Sequence, residues 1–153
     1  MTPAKKALAA GGLAAAMSLV AYFEGYRATA YLDPVGIPTI CYGHTATAKM
    51  GQTKTQEECD ELLRGDLGSA VNAVNAELPD APEMTKAAFA SFAYNVGNGA
   101  FRRSTLLRKA KAGDLVGACN ELPRWVYAKG KKLAGLVNRR EAERELCLEG
   151  IGK

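Results

Sequence analysis

The sequence predicts an α+β domain, mostly helical, with a small β-hairpin lobe, a long connecting helix and a larger helical lobe. Three observations carry that expectation. Thr29 to Thr45 places Tyr31, Val35, Ile37, Thr39, Ile40 and Tyr42 around the turn chemistry Asp33-Pro34-Val35-Gly36, which reads as a β-hairpin. Thr55-Gln56-Glu57-Glu58 is a capping box, and behind it Cys59, Leu62, Leu63, Leu67, Ala70, Val71, Val74 and Leu78 recur at spacings of three and four. Beyond Pro79 and Pro82 helical periodicity returns in four shorter segments. The 153 residues, 48% hydrophobic and 24% charged, suit one globular domain and fit neither disorder nor a fibrous repeat.

The elements follow in order. Between Lys6 and Glu24 lie 17 uncharged residues, Ala7 to Phe23, seven of them Ala and two Gly. As one helix the stretch is about 25 Å long, the lower edge of what spans a bilayer's hydrocarbon core. It reads as an export anchor, as a cleaved signal trimmed near Ala14-Ala15-Ala16, or as an Ala-rich helix packed on the domain. Residues 1–23 therefore form an N-terminal segment and 18–153 the main domain, with the helix continuing to about Arg27 and Glu24 near its end, just before Gly25. The hairpin comes next, then the long helix from Thr55 to Glu77, more than about 30 Å. Thr85–Val96, Ser104–Lys111, Asp114–Leu122 and Val137–Leu148 complete the helical lobe. A cleft between two such lobes suits a polymer.

Composition narrows the chemistry. A single histidine, His44, excludes hydrolases that hold zinc through several His ligands. Four cysteines, Cys41, Cys59, Cys119 and Cys147, lack the C-x₂-C spacing of a metal knuckle and read as two disulfides of an oxidising compartment. Three pairings are open, of which the spacing suggests Cys41–Cys59 and Cys119–Cys147, each worth about 3 kcal/mol in the chain-entropy view. The net charge of +4 is unevenly spread. The first hundred residues hold 7 basic and 10 acidic side chains, the remainder 13 and 6, so the basic half suits an anionic polymer, nucleic acid or membrane without choosing among them.

Two carboxyls have contrasting settings. Glu24 ends an apolar helix beside Phe23, where burial favours the protonated form, and Asp33 sits in a polar turn that keeps it ionised. One acid and one base or stabiliser are what glycoside hydrolysis requires. The spacing Glu24, eight residues, Asp33, five residues, Thr39 and the run from Phe23 to Thr45, FEGYRATAYLDPVGIPTICYGHT, resemble the phage-type lysozymes, glycoside hydrolase family 24. The likeness continues through Phe92 to Gly97, Phe101, Ser104 to Arg108, Gly113-Asp114, Arg124-Trp125 and Gly135 to Glu143, covering roughly Ser18 to Leu148.

That resemblance implies a lysozyme-like fold and a muramidase that hydrolyses the β-1,4 bond between N-acetylmuramic acid and N-acetylglucosamine in peptidoglycan, without metal or cofactor. It implies Glu24 as general acid, Asp33 as the group that orients or activates water, and Thr39 as the hydroxyl that holds that water. Tyr94, Asn95 and Ser104 fall in segments that line the family's cleft and are expected glycan contacts. His44 reads as structural, and Arg139-Arg140 with Glu141 and Glu143 as a salt-bridged helix face. The extended N-terminus with four cysteines resembles the signal-arrest-release endolysins of phages of Gram-negative hosts. This implies a monomer, without nucleic-acid binding, exported to the periplasm and at first tethered to the inner membrane through residues 7–23. The alternative is a cytoplasmic enzyme waiting for a holin pore. Two rival enzymes are a lytic transglycosylase, disfavoured by Asp33 and Thr39, and a cysteine peptidase using Cys41 with His44; a non-enzymatic wall-binding module is the rival of another class.

Overall fold

A computed structural model of the chain describes residues 2–153; Met1, the first residue of the 1–23 segment, lies outside them. The N-terminal segment is two helices rather than one: α1 (Pro3–Ala10) starts with Pro3 at its first turn under the Thr2 cap, and α2 (Gly12–Glu24) follows a break at Gly11-Gly12. Both glycines take positive φ, +74° and +53°, a conformation L side chains resist. A Cβ on Gly12 would also stand 2.6 Å from the Glu83 carboxylate. The break turns α1 back onto α2 and onto the C-terminal helix, so Ala4, Ala7, Ala15, Ala16, Leu19 and Val20 are all buried in the main core. Ala4, Ala7, Ala15 and Ala16 are the close-packing face of a docked helix pair. No helix among the described residues is long and apolar enough to cross a membrane.

The helix ends at Glu24 rather than near Arg27, because Gly25 takes φ +77° and its N–H closes on the Ala21 carbonyl. Arg27 already opens β1 (Arg27–Leu32), which pairs antiparallel with β2 (Pro38–Cys41) in the register Tyr31↔Thr39 and Leu32↔Pro38. A Thr29↔Thr53 bridge and an Ile40↔His44 bridge extend the lobe. The capping box forms as the sequence predicts: Thr55 accepts from the Glu58 N–H and Glu58 accepts from the Thr55 N–H, opening α3 (Gln56–Glu77). The four cysteines form the disulfides Cys41–Cys59 and Cys119–Cys147. The first clamps the hairpin to α3, and the second clamps the C-terminal helix to the helical lobe.

That lobe is built around α4 (Glu83–Val96), buried on every side from Ala87 to Ala93, the pattern of a central helix. Around it stand α2, α3 and α8 (Ala134–Gly150), with Leu19, Leu67, Phe89, Phe92 and Leu146 fully buried between them. The shorter α5 (Asn98–Arg102), α6 (Thr105–Lys111) and α7 (Leu115–Cys119) close the far side. The helix expected over Asp114–Leu122 stops at Cys119 and passes into a 3-10 turn, Leu122–Arg124, around Pro123. A second hairpin, β3 (Tyr127–Ala128) with β4 (Lys131–Lys132), follows and was not anticipated; two-residue strands are too short to show alternation.

Candidate active site

Glu24 stands where α2, the β lobe and the helical lobe meet. Its side chain keeps 25% of its exposure, and Oε1 accepts a 2.8 Å hydrogen bond from Arg139 Nη1 of α8. Oε2 faces Gly43, where a Cβ would come within 3.1 Å, so the glycine leaves that oxygen room. Beside the apolar helix end expected around Glu24 there is thus also a guanidinium.

Asp33 and Thr39 are held by the same turn. Asp33 Oδ1 accepts from the N–H groups of Val35 and Ile37 at 2.9 and 2.8 Å, an Asx arrangement that closes the hairpin. Thr39, buried on β2, donates its hydroxyl to the Ile37 carbonyl at 2.9 Å, and the Asp33 N–H bonds the same carbonyl. Ile37 thus ties the two candidates together. Asp33 Oδ2 and the Thr39 hydroxyl lone pairs have no hydrogen-bond partner among the described residues. Glu24 joins this lobe through Gly43, two residues beyond β2.

The expected glycan contacts separate. Tyr94 is half-buried at the C-terminal end of α4 and donates to the Tyr42 carbonyl at 3.3 Å; burial, then the nearby Glu24 charge, pushes its phenol up to about 12. Asn95 is exposed beside it, with Oδ1 held at 2.8 Å by Arg140 Nη2. Ser104 corrects the sequence reading. It is buried, accepts from the Leu107 N–H and donates to the Phe101 carbonyl, so its hydroxyl caps α6 instead of facing a ligand. His44 is buried, as a structural histidine would be, between Asp66 at 2.6 Å on Nδ1 and Thr47 at 2.7 Å on Nε2.

Sequence reading also missed Arg139. The Arg139-Arg140 stretch is salt-bridged as expected, to Glu143, but Arg139, Arg140 and Glu143 are buried. Arg139 spans Glu24, the Ser91 carbonyl at 3.2 Å and Glu143 at 3.3 Å. Arg140 Nε stands 2.7 Å from Glu143 Oε1, an ion pair without hydrogen-bond alignment, and Ser91 donates to Glu143 Oε2 at 2.6 Å. Burial pushes the Glu143 carboxyl up, against the pull of both arginines and Ser91. One signal was present: Arg139 and Glu143 share the spacing of Ala142 and Leu146, so charges lie on the stripe that packs inward. Among the described residues no three His, Cys, Asp or Glu side chains gather as a metal site.

Comparison with known proteins gives a consistent answer. The phage lysozyme family model matches residues 21–143. The SAR-endolysin of Bacteriophage PS119 is 51% identical over 129 residues, 83% of this chain and 77% of that protein. The active form of P1 phage endolysin Lyz superposes with a TM-score of 0.83 at 30% identity, over 89% of this chain and 84% of the other. The secreted inactive form of the same endolysin gives 0.55 at 29% identity, over 68% and 76%.

Proposed function

The chain belongs to the phage lysozyme family and is a glycoside hydrolase, an endolysin muramidase that cleaves peptidoglycan, and from that premise we propose how its residues divide the chemistry. Glu24 is the general acid. Arg139 fixes Oε1, which leaves Oε2, beside Gly43, to carry the proton delivered to the departing glycosidic oxygen. Water attacks the anomeric carbon from the opposite face as the glycosidic bond breaks. Asp33, with Oδ2 unengaged, takes the water's proton or supports the positive charge at that carbon, and Thr39 holds the water through its hydroxyl lone pairs. The product has inverted configuration. Tyr94 and Asn95 contact the glycan.

The reading is supported by Glu24 lying against Gly43 of the β lobe, the lobe whose hairpin turn holds Asp33 and Thr39, so that the acid and the water-handling groups are offered by separate elements. Glu24→Gln tests it: the amide preserves shape and has no proton to transfer, so cleavage of purified sacculi is expected to vanish with an unchanged circular dichroism spectrum. Residual activity above a few per cent would assign the acid elsewhere. Mass analysis of the parent's products is expected to show reducing ends; anhydro-muramic ends would mean a transglycosylase.

The docked α1–α2 pair supports a further part of the proposal. Residues 7–23 first insert in the inner membrane and export the enzyme to the periplasm, uncleaved, then leave the bilayer and fold onto the domain as α1 and α2. Trimming near Ala16 is disfavoured, since Ala15, Ala16, Leu19 and Val20 belong to the core and Glu24 needs the helix behind it.

A further inference from the structure

The second hairpin is outside all of this chemistry. Tyr127 to Lys132 are exposed without exception, and Tyr127 keeps 63% of its surface. Lys129 and Gly130 both take positive φ, +51° and +77°, the two-residue turn whose twist matches a tight hairpin. Lys129, Lys131 and Lys132 have no acidic partner among the described residues, so three free ammonium groups cluster within four positions. The prong is rooted firmly: the Leu133 N–H bonds the Val126 carbonyl, Val126 is buried, and Trp125 packs edge-on against Phe92 with centroids 5.0 Å apart. Arg140 joins that root to the end of α4, reaching the Trp125 carbonyl with Nη1 and Asn95, a proposed glycan contact, with Nη2.

Register decides how the side chains are distributed. Tyr127 pairs with Lys132 and Ala128 with Lys131, and directly opposed residues share a face. One face therefore carries an aromatic ring beside an ammonium, the other face a second ammonium, and the tip a third. A planar bilayer meets one face only, so charge on both sides of a projecting prong suits flexible anionic strands better.

We propose that this hairpin docks the peptidoglycan strand: Tyr127 stacks on the apolar face of an N-acetylhexosamine ring, and the three lysines pair with carboxylates of the stem peptide attached to that strand. The proposal rests on the muramidase reading, and it is tested by binding, so that its failure is separate. Glu24→Gln enzyme, which does not cut, is mixed with purified Gram-negative sacculi, with glycan strands stripped of peptide by amidase, and with phosphatidylglycerol-containing vesicles. Changing all three lysines to Gln is expected to weaken sacculus binding roughly tenfold, the sum of three screened surface pairs, and raised salt is expected to bring the unsubstituted hairpin to the same level. Binding to stripped strands is expected to be unchanged by the lysine variant and reduced by Tyr127→Ala. Unaltered sacculus binding in the lysine variant overturns the proposal, as does equal loss on stripped strands. A loss confined to vesicles would make the membrane the partner instead. Failure of the parent to cut sacculi would refute the muramidase reading alone.

Discussion

Arg139 shows how one side chain can serve site and fold together. Its guanidinium reaches Glu24 115 positions away in sequence, while its other nitrogens hold Glu143 and the Ser91 carbonyl. Arg139→Ala leaves Glu143 with a single guanidinium in a fully buried setting, and breaking a buried pair costs about 3 kcal/mol or more, measurable as an earlier urea midpoint. Arg139→Lys keeps the charge and loses the fork, so it cannot span three partners; kcat is expected to fall more than KM changes, because the acid is misplaced while the glycan contacts remain. Tyr94 gives a pH signature. Its folded value of about 12 lies above the ordinary 10, so the neutral form is favoured by folding, and that contribution is complete below pH 10 and lost as pH rises through 12. An ultraviolet titration is expected to show a phenol ionising near pH 12 that is absent in Tyr94→Phe. Tyr42 is also raised, mainly by burial.

At the scale of elements, what the sequence disclosed is what local rules govern. Thr55 and Glu58 specify the start of α3 because each satisfies the other's backbone N–H within four residues, and Asp33 specifies its turn because its carboxylate reaches two amides next to it. Thr55→Ala is expected to cost about 1 kcal/mol in thermal or denaturant unfolding without altering turnover. The fold class, the hairpin and most helices were legible on this footing, and so was the Glu24, Asp33, Thr39 spacing, since all three sit on elements consecutive in the chain. The inward spacing of Arg139 signals its burial, but its partner Glu24 depends on α8 returning against α2, which no local pattern encodes. Ser104 was misread for the opposite reason: as an N-cap it was a local feature, and the family's cleft drew it toward the glycan. Gly11 and Gly12 were weighed for hydropathy, while their backbone freedom, which splits the helix, went unread.

At the scale of the molecule, residues 7–23 answer to two solvents. In a bilayer they would need one unbroken apolar helix; on the domain they are two helices with a corner at Gly11-Gly12, and Ala7, Ala15 and Ala16, which weaken insertion, are among the residues that pack. The two demands meet on different faces of α2, which makes them separable. Ala14 is exposed and Ser18, one turn on, is only half-buried. Leu at these two positions adds roughly 0.5 kcal/mol or more each toward insertion while avoiding the buried face, so the protein is expected to linger full-length in the inner-membrane fraction and lyse late, yet to match the parent's activity once extracted and refolded. Gly12→Leu strengthens insertion too, but its side chain meets Glu83 in a backbone conformation it resists, so extracted protein is expected to be less stable as well as late to leave. Fractionation with lysis timing reads the first property, and urea unfolding of the extracted protein reads the second. Parent protein found only in the cytosol, or trimmed near Ala16, would show that this segment never spans the membrane as an uncleaved anchor and that its Ala and Gly content answers to packing alone.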